Sequence, residues 1–166
     1  MIAAPMSPRL LRFGMNLWPP YLGAGIRVLD IADDWSEARV ALRLRLFNRN
    51  YIGTHFGGSL FAMTDPFFTL LLMHRLGRSY VVNHAGGAID FLAPARGRVT
   101  ATFRLSEAEV EEVRQRTAGG EKHLPRYSVD IVDEDGTVVA RATHTLHVRL
   151  RNQNSEDRIQ NTRPIR

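Results

Sequence analysis

The sequence predicts an α+β domain: a curved, mainly antiparallel sheet wrapped around one long central helix, with an extra N-terminal helix. Three observations point there. Residues 39–46 alternate, with Val40, Leu42, Leu44 and Leu46 on one side and Arg39, Arg43 and Arg45 on the other, the period of a half-buried strand. From residue 57 to about residue 76 the chain is apolar almost without interruption. That run is too long for one strand and apolar on most sides, as a helix enclosed by a sheet would be. Four more strand patterns then follow, at residues 79–92, 98–105, 126–133 and 137–149.

Each element has its own local signals. Ser7 as N-cap and Pro8 at the first position start a helix through Leu10, Leu11, Phe13, Met15 and Leu17, which Pro19-Pro20 should stop. After Gly23 and Gly25 come a short strand over 26–31 and a polar turn over 33–37. Residues 48–55 read as a loop. The apolar helix ends at His74-Arg75 and Gly77. Pro66 either kinks that helix or marks a fresh start, with Thr64 or Asp65 as cap. Ser106 with Glu109 makes a capping box for a short helix to about Arg116. Residues 117–124, with Gly119-Gly120, form a mobile loop, and Asp133-Glu134-Asp135-Gly136 is a hairpin turn. The organisation expected is a helix over 1–22, the main domain over 23–150 and a flexible tail over 151–166, with no internal repeat. An open sheet of this kind has exposed edges, which a second copy can cover.

Composition narrows the function. A chain of 166 residues, 44% hydrophobic, fits one domain with a real core. The absence of cysteine removes disulfides, thiolate metal sites and thiol nucleophiles. No stretch reaches the roughly 18 apolar residues of a membrane span. Residues 1–8 lack the basic and apolar regions of a signal peptide, so a cytoplasmic protein that does not associate with membranes is expected. The formal charge is +5, of which +3 comes from five arginines against Glu156 and Asp157 in residues 149–166. No basic run is interleaved with aromatics, which argues against nucleic acid.

One carboxylate stands out. Between Ala38 and Ile89 the only acid is Asp65, inside Gly57-Gly58-Ser59-Leu60-Phe61-Ala62-Met63-Thr64-Asp65-Pro66-Phe67-Phe68. An unpaired buried carboxylate costs several kcal/mol or gives up its charge, so chemistry is the expected reason for it. Asp-Pro as a simple helix cap and Gly-Gly as a packing device are the bland alternatives. His74, His84, His123, His144 and His147 show no spacing that argues for a ligand set, and no metal is expected.

The pattern Asn50-(x)4-His55-Phe56-Gly57-Gly58-(x)6-Asp65 resembles a segment of phenylacetyl-CoA-type thioesterases of the hotdog fold. Ala88-Ile89-Asp90-Phe91-Leu92-Ala93-Pro94-Ala95-Arg96-Gly97 is similar to that family's strand ending in Phe-Leu-x-Pro followed by Gly. Phe56 departs from the family, where His directly precedes the glycines. In its Gly-Thr-His-Phe-Gly-Gly wording the chain is closer to uncharacterised hotdog proteins grouped as a domain of unknown function. The resemblance implies hydrolysis of an acyl-CoA thioester, with coenzyme A as part of the substrate and no separate cofactor. It also implies a homodimer, with a tetramer left open, in which Asn50 completes the site across the interface.

The residues support a compatible chemistry. If Gly57-Gly58 opens a helix, its free amides can polarise a carbonyl oxygen. Asp65 would lie about two turns on and Thr69 one turn beyond, with Asp65 as general base or nucleophile. His55 is divided between site residue and loop hydrogen-bonder. Phe61 and Phe68 are candidates to line an acyl tunnel, though core is favoured, and Arg96 and Arg98 to meet phosphates, though a solvated strand end is favoured. A hotdog dehydratase would need an acid where Thr69 stands. The alternative function is non-catalytic binding of acyl-CoA or lipid.

Overall fold

The computed structural model describes residues 6–151. In order, its elements are α1 (Pro8–Leu17), α2 (Pro19–Ala24), β1 (Ile26–Ile31), β2 (Glu37–Arg43), α3 (Gly57–Ala62), α4 (Phe67–Leu76), β3 (Tyr80–Phe91), β4 (Arg98–Arg104), α5 (Glu107–Thr117), β5 (Arg126–Val132) and β6 (Val138–Leu150). The strands form one six-stranded antiparallel sheet in the order β1-β2-β4-β5-β6-β3. The expected α+β hotdog architecture is present: the sheet curls around the apolar run of residues 57–76.

That run is what the strands bury. Phe67, Phe68, Leu71 and Leu72 of α4 are all at most 4% exposed, packed with Val40 and Leu42 of β2, Val99, Ala101 and Phe103 of β4, and Ile131 of β5. Phe103 meets both Phe67 and Phe68, with ring centroids 4.8 and 5.2 Å apart. Burying each such side chain contributes about 1.5–3 kcal/mol.

Local detail departs from expectation at three places. Of the kink and the fresh start left open at Pro66, the fresh start is observed: α3 ends at Ala62 and α4 begins at Phe67, after a cis Asp65–Pro66 peptide. Pro66 has no N–H to give to a helix, so the chain starts afresh there. The cap position is Pro66 itself, without a side-chain cap bond, rather than Thr64 or Asp65. The first helix ends at Leu17, before Pro19-Pro20, as expected; the addition is a second helix, α2, which Pro19 opens because proline suits the first turn of a helix. Strand β2 stops at Arg43, and Leu46, expected on the same side as Val40 and Leu42, is 79% exposed.

The Ser106–Glu109 capping box and the hairpin turn before β6 are as expected, the latter with Asp133 N–H donating to Thr137 O and Gly136 at φ 82°. The flexible tail expected over 151–166 lies, apart from Arg151, outside the described residues.

The two edges of the sheet differ. At β1, α1 lies alongside the strand. Asn16 accepts from Val28 N–H and donates to Val28 O, and Arg12 donates to Leu29 O. These side chains occupy backbone groups that an open edge would present. At the other border, β3 pairs among the described residues only with β6, and most of its twelve residues are exposed.

Candidate functional site

Asp65 sits in the turn between α3 and α4, where the break in the helix lets its carboxylate leave the apolar interior. The side chain is 49% exposed rather than buried. The turn is braced from below by Tyr21 of α2, whose hydroxyl donates to Asp65 O at 2.5 Å. Burial, and secondly the negative charge of Asp65, push the Tyr21 phenol well above its ordinary range, so it stays a donor.

A continuous polar chain runs inward from the carboxylate. Asp65 Oδ1 is 3.4 Å from His84 Nδ1; His84 Nε2 is 3.1 Å from His144 Nδ1; His144 Nε2 is 2.9 Å from Thr64 Oγ1. Thr64 Oγ1 donates to Phe61 O at 2.7 Å. This last bond fixes the polarity of the rest. The Thr64 proton is committed, so its oxygen accepts from His144 Nε2–H. Burial first, and then the neighbouring His84, hold His144 below the usual imidazole pKa, with Asp65 opposing, so His144 is neutral and its Nδ1 is a bare acceptor. His84 must therefore donate through Nε2. His84 Nδ1 then faces the Asp65 carboxylate at the outer end of the chain.

Packing holds the chain in place. His144 is 2% exposed, stacked on the Phe61 ring at 5.5 Å and tilted against Phe68 at 6.2 Å. His84 and His144 come from neighbouring strands, with a register shift between His84 and Gly86.

The loop before α3 makes a second cluster. Asn50, His55, Gly57, Leu60, Phe91 and Leu92 are among the residues lining a cleft of about 460 Å³. Asn50 is spent within its loop: Nδ2 donates to Thr54 Oγ1 and His55 O, while Oδ1 accepts from the Ile52 and Thr54 amides. His55 is 2% exposed, with Nε2 3.1 Å from Gly97 O, which makes that nitrogen the N–H. Its Nδ1 is buried without a partner among the described residues, and burial lowers its pKa. Gly57 and Gly58 are the first two residues of α3, whose amides have no acceptor within the helix. An added Cβ at Gly57 would meet Phe91 Cζ at 2.8 Å, and one at Gly58 would meet Phe56 Cε1 at 2.4 Å.

The residues picked out by sequence thus divide. Asn50, His55 and Gly57 share one cleft, with Gly58 beside it; Asp65, with Phe61 and Phe68, belongs to the histidine chain. Thr69 lies in the first turn of α4, past the break, so helical spacing no longer relates it to Asp65. Phe68 is 4% exposed and packs on Tyr127 and Phe103 in the core. Arg96 is exposed, and Arg98 lines a separate groove on the outer face of the sheet.

Sequence reasoning missed His84, His144 and Thr64. A signal for one of them exists. Ala140, Ala142, His144, Leu146 and Val148 are the inward phase of β6, so an imidazole stands where the pattern calls for an apolar residue. Among the described residues no cluster of three or more His, Asp or Glu side chains is arranged to hold a metal ion, and no helix is long and apolar enough to cross a membrane.

Known structures share this fold. PA5026 from Pseudomonas aeruginosa, described as a protein of unknown function and probable thioesterase, superposes with a TM-score of 0.76 at 19% identity, over 89% of this chain and 98% of that one. The thioesterase HI1161 from Haemophilus influenzae gives 0.64 at 15% identity, over 89% and 93%. The E. coli PaaI protein from the phenylacetic acid degradation operon gives 0.55 at 21% identity, over 77% and 82%. At these identities the likeness establishes the hotdog fold. No curated protein matches the chain. Residues 8–148 match the family model described as Domain of unknown function (DUF4442), and the chain belongs to that family.

Proposed function

We propose that this protein hydrolyses an acyl-CoA or similar acyl thioester, with Asp65 acting on the thioester carbonyl. The observation that carries the reading is a half-exposed carboxylate tied to a chain of two histidines and a threonine at a break in the central helix. As general base, Asp65 takes a proton from water while the water oxygen bonds to the carbonyl carbon. The C–S bond then breaks, and the proton passes to the departing thiolate. As nucleophile, the same carboxylate bonds to the carbonyl carbon, and the C–S bond breaks to release the thiolate. Water cleaves the resulting anhydride to the free acid and the Asp65 carboxylate, a proton from that water passing to the thiolate. His84 holds the proton that orients the carboxylate in either route. The amides of Gly57 and Gly58 polarise the carbonyl oxygen. Asn50 and His55 shape the loop that presents them, and Phe61 flanks the acyl group.

In one protomer the glycine cleft and the Asp65 chain are separate clusters. A homodimer formed along β3 supports bringing them together. That edge is long, exposed and continues into Phe91 and Leu92, each 57% exposed, which also line the cleft. Structural neighbours described as thioesterases support the same class of reaction.

The test is hydrolysis of a panel of acyl-CoAs of graded length and aromatic character. The wild type should turn over at least one, Asp65→Asn should lose about 10²- to 10⁴-fold in rate, and His84→Gln should lose less. Binding of acyl-CoA without turnover by the wild type would instead support the non-catalytic reading.

A further inference from the structure

On the outward face of the sheet, α1, α2, β1, β2 and β4 border a groove of about 900 Å³ that shares no residue with the Asp65 chain. Five arginines line it, Arg12, Arg27, Arg43, Arg45 and Arg98, and among the described residues no acid does. The alternation that buries Leu42 and Val99 turns Arg43 and Arg98 outward, and the register sets those two arginines directly opposite each other. Arg27 stands on the same face, opposite Ala41, whose small side chain leaves the floor low. Like charges facing each other across strands destabilise a sheet. Little here relieves them. Among the described residues Arg12 has one ion pair, with Asp30 at 3.8 Å, and Arg27, Arg43, Arg45 and Arg98 have none. The other wall is apolar, with Phe13, Leu17 and Leu22 more than half exposed.

We infer that this groove binds a small molecule carrying two or more phosphate groups and an apolar or aromatic portion. Guanidinium groups match phosphate oxygens in pairs, and five of them exceed what a single phosphate neutralises. The wall formed by Phe13, Leu17 and Leu22 takes the uncharged part. The concave shape and size suit a compact ligand rather than a flat surface. A second copy docked here by a two-fold axis would set arginine against arginine, so the occupant is anionic. Nucleoside diphosphates and coenzyme A share this chemistry, and the site stands independently of the thioester reading.

Titration calorimetry of the full chain at low salt, with pyrophosphate, ADP and unacylated coenzyme A, tests it. Pyrophosphate and ADP should both bind, ADP more tightly, and both should weaken as salt rises. The double substitution Arg43→Gln/Arg98→Gln should weaken each by about tenfold or more while leaving the melting temperature unchanged or higher. Phe13→Ser should weaken ADP and leave pyrophosphate alone. Asp65→Asn should bind pyrophosphate as the wild type does, whatever its effect on hydrolysis. Binding unaffected by the double substitution, or also undiminished in Arg27→Gln, overturns the inference. So does coenzyme A binding alone, which places it at the thioester site, or retention only on phosphatidylglycerol vesicles, which makes the groove a lipid contact.

Discussion

Glycine at position 87 is required by space. A Cβ there would lie 2.8 Å from Phe61 Cζ, 3.2 Å from Thr143 O and 3.3 Å from His144 Nδ1. The missing side chain leaves the space that the Phe61 ring, stacked on His144, occupies. Gly87→Ala should push Phe61 and His144 aside, cost about 1–3 kcal/mol by urea denaturation, and reduce thioester turnover together with stability. Asn50 and Asp65 should separate in the same assays. Asn50→Ala removes four hydrogen bonds inside one loop and should lower the melting temperature. Asp65→Asn, half exposed, should change turnover with little effect on melting. Asp65 was legible in the sequence as a lone acid in an apolar run. Its partners were not, because His84 and His144 are sixty positions apart and meet only through strand pairing.

At the scale of elements, local signals worked where the chain's own neighbours decide the structure. The capping box of α5 is one such case, with Ser106 Oγ accepting from Glu109 N–H and Glu109 Oε2 accepting from Ser106 N–H. Ser106→Ala should cost about 1 kcal/mol, measured as a shift in the denaturation midpoint. The alternation of β4, and of β2 as far as Arg43, was equally readable, since one face meets the core and the other is turned outward. The central run shows where such reading stops. Continuous apolarity reports burial, not helical continuity, and Pro66 left both a kink and a restart open. The restart also set Thr64 free to bond with His144. Asn16 is a comparable case: its role, pairing with the backbone of β1 from a neighbouring helix, has no sequence period to reveal it.

For the molecule as a whole, three imidazoles report on pH. Burial lowers the pKa of His55 and His74, and burial with His84 lowers that of His144, all from an ordinary value of 6.5. In each case the unfolded chain takes up protons more readily than the folded one. Stability from these groups is therefore present above about pH 6.5 and declines as pH falls through the depressed folded values. Asp34, Glu107 and Asp130, held low by Ser36, Arg114 and Arg141 respectively, add a further loss at more acidic pH. Melting temperatures between pH 8 and pH 5 should fall monotonically, and His144→Phe should flatten the upper part of that slope. Light scattering at neutral pH should find particles of two chains or an even multiple of two.

The unequal borders of the sheet limit how this chain can assemble. A ribbon sealed by Asn16 and Arg12 on one margin can accept a neighbour only on the other. Once two copies have joined there, each has used the one open strand margin among the described residues, and the joined ribbon ends in two β1 margins where Asn16 and Arg12 occupy the backbone of Val28 and Leu29. Strand-by-strand growth into filaments is thereby blocked after a single step.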